Sequence, residues 1–250
     1  MLTKRVLFWG LILIFMSSIT QAQDALPCAE RPFVVDFPRI NPLIWCLEHI
    51  VVAESADEQL YTSLLISDDG AIIATHPYRG QVVVLVDFDN DGLSDDEYVL
   101  VDNLRYPQGI AEHDDALYIL GDGIIYTLSD GEVTTLVDDF PSGEGFLTRA
   151  IAIHDEMLYI AIPASCDFCI DNDPLRGTVL RMALDGTDQT IIARGLRYPT
   201  ALEIYQDALW VTDTARDAFS IDTAYDEVNR IDLGADEIPH FGFPYCVGAD

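Results

Sequence analysis

The stretch GIAEHDDALYILGDGIIYTLSDGE, residues 109–132, decides the fold class of this chain. Its apolar runs are short and rich in isoleucine, leucine and tyrosine, and Asp-Asp and Asp-Gly pairs, which favour tight turns, separate them. The stretch does not keep a helical period for three turns. It therefore predicts consecutive short β-strands.

The same pattern occurs four times along the chain. A single blade cannot bury both of its faces, so repeats of this kind stack around an axis. The sequence predicts an all-β chain, a β-propeller of four-stranded blades with about four blades visible; a β-sandwich is the alternative. Equivalent apolar positions lie 45, 41 and 51 residues apart, a spacing typical of propeller blades, at Ile72, Leu117, Leu158 and Leu209.

The N-terminus has the pattern of an export signal. Lys4 and Arg5 precede an apolar run over residues 6–16, and small residues follow as far as Ala22. The run is shorter than the roughly 20 residues that a membrane helix needs. We expect an exported protein without a stable membrane span, divided into a signal peptide over 1–22 with cleavage near Ala22, an extension over 23–60 and the propeller over 61–250.

The chain is strongly acidic, with 13 basic and 43 acidic residues and a formal net charge of −30. Nucleic acid and anionic membrane are poor partners for such a surface. Two interpretations remain open: a solvated acidic surface, and binding of divalent cations.

Two cysteines stand three positions apart in PASCDFCIDNDP, residues 163–174. Because paired cysteines of exported proteins normally form disulfides, Cys166 and Cys169 favour a local disulfide over a redox centre or half of a metal site. Cys28 and Cys46 could form a second disulfide, which leaves Cys246 unpaired. An odd cysteine near the end suggests a partner beyond Asp250, and we expect the chain to be a fragment.

The stretch VDFDNDGLSDD, residues 86–96, resembles a calcium loop. Asp87, Asp89 and Asp91 alternate, Gly92 permits a sharp turn, and Asp95 could reach a cation directly or through water. The glutamate that ends a complete EF-hand loop is absent. The pattern predicts Ca²⁺ binding, and an acidic hairpin tip is the alternative.

From Leu147 onward the chain resembles the glucose/sorbosone dehydrogenase family, soluble sugar dehydrogenases that carry pyrroloquinoline quinone (PQQ) on a β-propeller. Several blocks carry the resemblance in order. They are LTRAIAI, MLYIAIPASCDFCIDNDPLRGTVLRMALDGT, IIARGLRYPTALEI, ALWVTDTARD, DEVNRIDLG and FGFPYC. The resemblance implies a six-bladed ring, PQQ with calcium, a sugar substrate, an electron acceptor and a structural role for the Cys-x-x-Cys pair.

The resemblance also implies roles for individual residues. Arg197 matches an arginine that faces the quinone or the substrate. Asp217, Asp226 and Asn229 match residues that shape the cofactor pocket. Phe241 and Phe243 match its aromatic wall.

Some family positions are changed in this chain. The histidine that acts as general base is replaced by Phe146, which cannot accept a proton. Glu144 lies nearby, Tyr198 replaces an asparagine, and Thr214 and Ala215 replace two residues whose backbone carbonyls help to hold the cofactor's calcium. Two functions are therefore expected: a PQQ-dependent sugar dehydrogenase, or a non-catalytic propeller that binds carbohydrate or a protein partner.

Overall fold

The structure is a computed structural model. It describes residues 27–31, 34, 41, 45–51, 61–67, 70–143, 145–148, 150–216 and 225–246. The expected signal peptide, Glu144 and Asp217 lie outside these ranges. The chain divides into two units, Met1–His49 and Ile50–Asp250.

The first unit contains a short 3-10 helix, Cys28–Glu30. A disulfide joins Cys28 to Cys46, the pairing that the sequence allowed. Arg31 pairs with Glu48 close to this link. The disulfide and the ion pair thus hold the described parts of this unit together.

The second unit is a β-propeller, as predicted from the repeats. Its described strands form four antiparallel sheets, here called blades 1 to 4, of which the first three have four strands and the fourth has three. Blade 1 consists of β1 (Ser63–Ile66), β2 (Ile72–His76), β3 (Gln81–Val86) and β4 (Asp96–Val101). Blade 2 consists of β5 (Gly109–His113), β6 (Ala116–Gly121), β7 (Ile124–Ser129) and β8 (Glu132–Val137). Blade 3 consists of β9 (Ala150–His154), β10 (Met157–Ile162), β11 (Thr178–Ala183) and β12 (Thr190–Arg194), and blade 4 of β13 (Pro199–Tyr205), β14 (Ala208–Asp213) and β15 (Glu227–Asp232).

The first strand of each blade lies on the inside of the propeller. β1 contacts β5, β5 contacts β9, and β9 contacts β13. Within each blade the chain then runs outward, strand by strand. The connection into each first strand and the connection from each second to each third strand therefore lie at the same end of the propeller. We call this end the upper end.

The core lies between neighbouring blades, where the flat faces of the sheets pack together. Blades 2 and 3 pack through buried side chains such as Leu120, Ile125, Ile160 and Leu180. Burial of such side chains contributes roughly 1.5–3 kcal/mol each. Strands β6 and β10 are buried over nearly their whole length, because both faces are covered.

The two copies of LRYP hold equivalent places at the upper end. Leu104 and Leu196 are buried, and their N–H groups donate to the carbonyls of Gly80 at 2.9 Å and Gly177 at 3.1 Å. Each glycine belongs to the connection before the third strand of the preceding blade. The sequence repeat therefore corresponds to a repeated junction between blades.

Candidate functional site

The upper ends of blades 3 and 4 bring together the connections that carry the family-like blocks. Phe146 precedes β9, the loop with Cys166 and Cys169 follows β10, and Arg197 precedes β13. Thr214 follows β14. Residues far apart in sequence thus lie close together at the upper end.

Arg197 is the centre of this group. It is only 6% exposed. Its Nε donates to Oδ1 of Asp167 at 2.9 Å, and its Nη2 donates to the same oxygen. Its Nη1 donates to the carbonyl oxygens of Thr214 at 2.7 Å and Ala215 at 2.9 Å. Since arginine has five N–H donors, most of this guanidinium is engaged by the protein itself.

Phe146 stacks on Tyr198, with ring centroids 4.4 Å apart and planes 17° apart. The guanidinium carbon of Arg197 lies 4.5 Å from the centroid of the Phe146 ring. Both contacts are favourable, one between aromatic rings and one between a cation and a π-system. Phe146, the position at which the resemblance implies a general base, is therefore a packed phenyl ring.

Asp213, at the end of β14, fixes the main chain beneath this group. Its carboxylate accepts from the backbone N–H of Arg197 at 2.9 Å and of Tyr198 at 2.6 Å. Burial raises the pKa of the Asp213 carboxyl to about 7, and the Arg197 N–H and the Arg197 charge oppose this rise. The side chain is therefore a buried acceptor that orients the loop.

Arg216 is a second buried cation, which the sequence reasoning missed although it stands within TDTARD. It is 6% exposed, and its guanidinium carbon lies 3.9 Å from the ring centroid of Phe168 and 5.8 Å from that of Phe243. Its Nη2 donates to the carbonyl of Pro244 at 3.3 Å. Burial and the charge of Arg197 lower the pKa of Arg216, whereas Asp167 raises it. Asp167, between Cys166 and Cys169, is another residue of the site that no sequence motif indicated.

The other predicted pocket residues have different surroundings. Phe241 and Phe243 line a small cavity together with Arg197 and Arg216. Asp226 accepts from the N–H of Ala215 at 2.9 Å, and so supports the loop. Asn229 lies within β15, opposite Val211, and donates to Glu227 at 3.1 Å. Asp217 lies outside the described residues.

The residues do not fit PQQ with its calcium in the arrangement that the resemblance implies. The carbonyls of Thr214 and Ala215, expected to hold the calcium, accept instead from the positively charged Arg197. The cavity bordered by Arg197 and Arg216 encloses about 40 Å³. A pocket that buries a drug-sized ligand has roughly 300 Å³ or more.

The Cys166–Cys169 disulfide is present, as the sequence favoured. It closes the loop from which Asp167 reaches Arg197. In the same loop Asp171 accepts from the N–H and the hydroxyl of Ser165. The loop is therefore a support for Arg197.

His113 and His154 end β5 and β9, at the opposite end from Phe146. Nε2 of His113 lies 3.1 Å from Glu156 and 3.6 Å from Asp114. Neither histidine therefore lies at the upper end, where the resemblance implies the general base.

The acidic loop after β3 gathers three of its four predicted calcium ligands. Carboxylate oxygens of Asp87, Asp89 and Asp95 lie within 4.8 Å of one another. The Asp91 carboxylate accepts instead from the N–H of Leu93 at 2.9 Å. The Gly92 N–H lowers the pKa of Asp87, whereas loss of solvent and the nearby charge of Asp91 raise the pKa of Asp89.

Within the described residues no helix is both long and apolar enough to cross a bilayer. No protein-family profile matches the chain, and no curated protein matches it in sequence.

Solved structures do match the chain. The holo form of the pyranose dehydrogenase PQQ domain from Coprinopsis cinerea aligns with a TM-score of 0.61 at 12% identity, over 75% of this chain and 54% of that one. A glucose dehydrogenase-type oxidoreductase from Thermus thermophilus aligns with a TM-score of 0.58 at 17% identity, over 77% and 67%. The PQQ-bound aldose sugar dehydrogenase from Streptomyces coelicolor aligns with a TM-score of 0.55 at 17% identity, over 74% and 62%. The chain thus spans between 54% and 67% of the length of these structures, and it has the β-propeller fold of PQQ-dependent sugar dehydrogenases.

Proposed function

We propose that this chain is an exported β-propeller that binds carbohydrate without quinone chemistry of its own. The observation that carries the proposal is the stack of Phe146 on Tyr198 beside Arg197. A phenyl ring cannot remove a proton from a sugar hydroxyl, and the guanidinium that would orient a quinone is engaged by Asp167 and two backbone carbonyls.

Recognition is also supported by exposed rings at the upper end. Phe168, Tyr225 and Tyr245 are 67%, 55% and 71% exposed. Rings beside guanidinium and carboxylate groups offer both an apolar face and hydrogen-bonding partners, the combination that small-molecule sites use. A sugar presents the matching features, C–H groups on its ring and hydroxyls around it.

A second candidate is a PQQ-dependent dehydrogenase that oxidises a sugar, or a related alcohol or aldehyde, and passes electrons to an acceptor. The likeness in fold to a holo PQQ domain and to a PQQ-bound dehydrogenase favours it. In this case Arg197 would orient the quinone or substrate, with Asp217, Asp226 and Asn229 around the pocket and Phe241 and Phe243 as its wall. Arg197 and Phe146 would have to leave their present contacts before a quinone, which supplies hydride-accepting chemistry, could be held here.

Titration with PQQ separates the two candidates. The full, calcium-saturated chain is titrated with PQQ and followed by the quinone absorption spectrum, then mixed with a panel of aldoses; the same sugars are tested for binding by calorimetry. We expect sugar binding without a change in the quinone spectrum. Saturable PQQ binding followed by reduction with an aldose would instead establish the dehydrogenase. The Streptomyces coelicolor aldose sugar dehydrogenase is a positive control for the PQQ preparation.

Export is part of the proposal, and the two disulfides fit it. Expression with residues 1–22 in a secreting host should yield a product whose mass corresponds to cleavage near Ala22. Retention of the full-length precursor inside the cells contradicts this expectation.

We also propose that Asp87, Asp89 and Asp95 bind Ca²⁺ with help from Asp91, since clustered carboxylates repel one another without a cation. Asp89→Asn should weaken Ca²⁺ binding by about 10-fold or more, measured by calorimetry. The neighbouring Asp96→Asn is the control, because Asp96 accepts from the N–H of Glu97 instead. Equal affinities for both variants and the native chain would argue for a hairpin tip without calcium.

A further inference from the structure

We propose that a second cavity at the upper end binds the carboxylate of an acidic sugar; this inference rests on the proposed carbohydrate recognition. The cavity encloses about 230 Å³. It lies between the segment 169–178, which leads from the disulfide to β11, and the segment 240–245. Its basic side chains come from Arg176, Arg194 and His240.

The charge of the cavity differs from that of the whole chain. Of 13 basic residues only Lys4 is a lysine, and four arginines line this cavity or the neighbouring small one: Arg176, Arg194, Arg197 and Arg216. Arg176 and Arg194 balance the carboxylates of Asp171 and Asp173 that also line this cavity, so the cavity is far less negative than the whole chain, of net charge −30, and an anion meets less repulsion here.

The backbone holds Arg194 and His240 side by side. The N–H of Arg194 donates to the carbonyl of Pro239 at 3.0 Å, and the Arg194 carbonyl accepts from the N–H of Phe241 at 2.9 Å. Gly195 follows Arg194 with φ +76°, and any β-carbon there would collide with the His240 ring. The segment 239–241 is thus fixed against the end of β12.

The basic side chains of the cavity keep hydrogen-bond donors for a ligand. Arg194 uses one N–H, from Nη1 to the carbonyl of Pro174 at 3.2 Å. The Arg176 side chain makes no hydrogen bond or ion pair to any described residue. Nδ1 of His240 accepts from the N–H of Gly242 at 3.1 Å, so the neutral ring carries its proton on Nε2.

The acidic residues of the lining are turned toward their own loop. Asp171 accepts from Ser165, and Asp173 accepts from the N–H of Leu175 at 3.0 Å. The unused guanidinium N–H groups of Arg176 and Arg194 are therefore the donors that this cavity offers to a ligand. The complementary ligand is an acceptor-rich anion, and a carboxylate fits the planar fork of a guanidinium.

Size and lining favour a sugar acid over a simple anion. The rings of Phe243 and Tyr245 border the cavity and offer apolar faces to a sugar ring. The volume is below the roughly 300 Å³ of pockets for drug-sized ligands, which suits a single sugar unit such as a uronate.

Calorimetry at pH 7 and low salt tests this inference with the full chain. Glucuronate and galacturonate are compared with glucose and galactose, and acetate and inorganic phosphate serve as simple anions. We expect the uronates to bind at least about 10-fold more tightly than the neutral sugars and the simple anions. Arg176→Gln should weaken uronate binding by about 10-fold or more, whereas Arg230→Gln, the same charge change on β15, should leave it within about twofold.

Each other outcome has a defined meaning. Tighter binding of neutral sugars overturns the acidic-sugar inference and leaves carbohydrate recognition standing. Equal binding of phosphate or acetate shows a general anion site and overturns the sugar assignment. Uronate binding that Arg176→Gln leaves unchanged, in a variant with a native melting curve, overturns the location. Absence of binding by every sugar removes the inference and the proposed function together.

Discussion

Arg105 and Arg197 occupy the same place in two copies of LRYP, yet they have different surroundings. Arg105 is exposed, whereas Arg197 is 6% exposed and held by Asp167 and by two carbonyls. The difference arises from the neighbouring loops, since only the second copy faces a disulfide-closed loop that carries an aspartate. A buried guanidinium with these partners links three segments of the chain.

The first prediction concerns this link. Arg197→Gln should lower the free energy of unfolding by about 3 kcal/mol, because it leaves Asp167 and two carbonyls without their donor. Arg105→Gln, the matched control, should change it by less than about 0.5 kcal/mol. Urea unfolding measures both, and equal effects would contradict the structural role of Arg197.

The second prediction concerns Asp213. Burial raises the pKa of the Asp213 carboxyl in the folded chain to about 7. As pH rises, the unfolded chain loses this proton near pH 4, whereas the folded chain keeps it until about pH 7. Stability contributed by Asp213 is therefore present at acidic pH and falls as pH rises from about 4 to 7. Asp213→Asn replaces one of two acceptor oxygens by an NH2 group that cannot accept, so it should be less stable than the native chain at pH 5 by about 1–3 kcal/mol. Because asparagine does not ionise, this gap should shrink by pH 7.5.

Urea unfolding at pH 5 and pH 7.5 checks this dependence. Asp130→Asn, at an exposed turn position with φ +52°, is the control and should show a gap that does not vary with pH. A gap for Asp213→Asn that widens toward pH 7.5 would mean that the carboxylate is stabilised in its charged form.

At the level of elements, the junction between blades depends on a glycine. The φ of Gly177 is +67°, and a β-carbon on it would lie 2.8 Å from the carbonyl oxygen of Leu196. Gly80 has φ +65° and the same clash, at 2.6 Å from the carbonyl oxygen of Leu104. A side chain at either position would separate the blade from its neighbour.

The third prediction separates the energetic cost of the close approach of Gly177 to Leu196 from the cost of placing a side chain at positive φ. Gly177→Ala should lower the free energy of unfolding by about 3 kcal/mol or more, through strain and steric overlap together. Gly131→Ala should cost only about 1–2 kcal/mol, because Gly131 has φ +76° but a β-carbon at this position would have no atom within 4 Å. Similar losses in urea unfolding would show that the approach to Leu196 relaxes at little cost.

The strands and the repeat were predictable from sequence because they follow from local patterns. Apolar runs with Asp-Gly turns locate the strands, and the spacing of Leu117 and Leu158 locates the blades. The contacts of the site were not predictable in the same way. Asp167 and Arg197 are 30 residues apart in sequence. Phe146 precedes blade 3 and contacts Tyr198, which precedes blade 4. Only the packing of the upper connections determines which of these side chains meet.

For the whole molecule, net charge opposes compactness. The chain has a formal charge of −30 on 250 residues. Folding brings these charges closer together and so increases the repulsion between them. The four arginines at the upper ends of blades 3 and 4 relieve this repulsion only locally.

The fourth prediction follows from this charge. Raising sodium chloride from about 10 mM to 300 mM shortens the Debye length from roughly 30 Å to below 10 Å. The melting temperature should then rise by roughly 2–8 °C, equivalent to about 1–2 kcal/mol. Potassium chloride, with calcium chelated in both series, should give the same rise; a flat or falling curve would mean that repulsion between these charges does not limit stability.

The exclusive use of arginine beyond residue 5 has a chemical consequence for the proposed sugar binding. The open-chain form of a reducing sugar carries an aldehyde, which condenses with a lysine amine to a Schiff base. Guanidinium stays protonated at physiological pH and is a poor nucleophile, so Arg176 and Arg194 hold an anion without offering it an amine. A reducing sugar bound as proposed would therefore remain a reversible ligand, because Arg176 and Arg194 offer it no lysine amine with which to form a Schiff base.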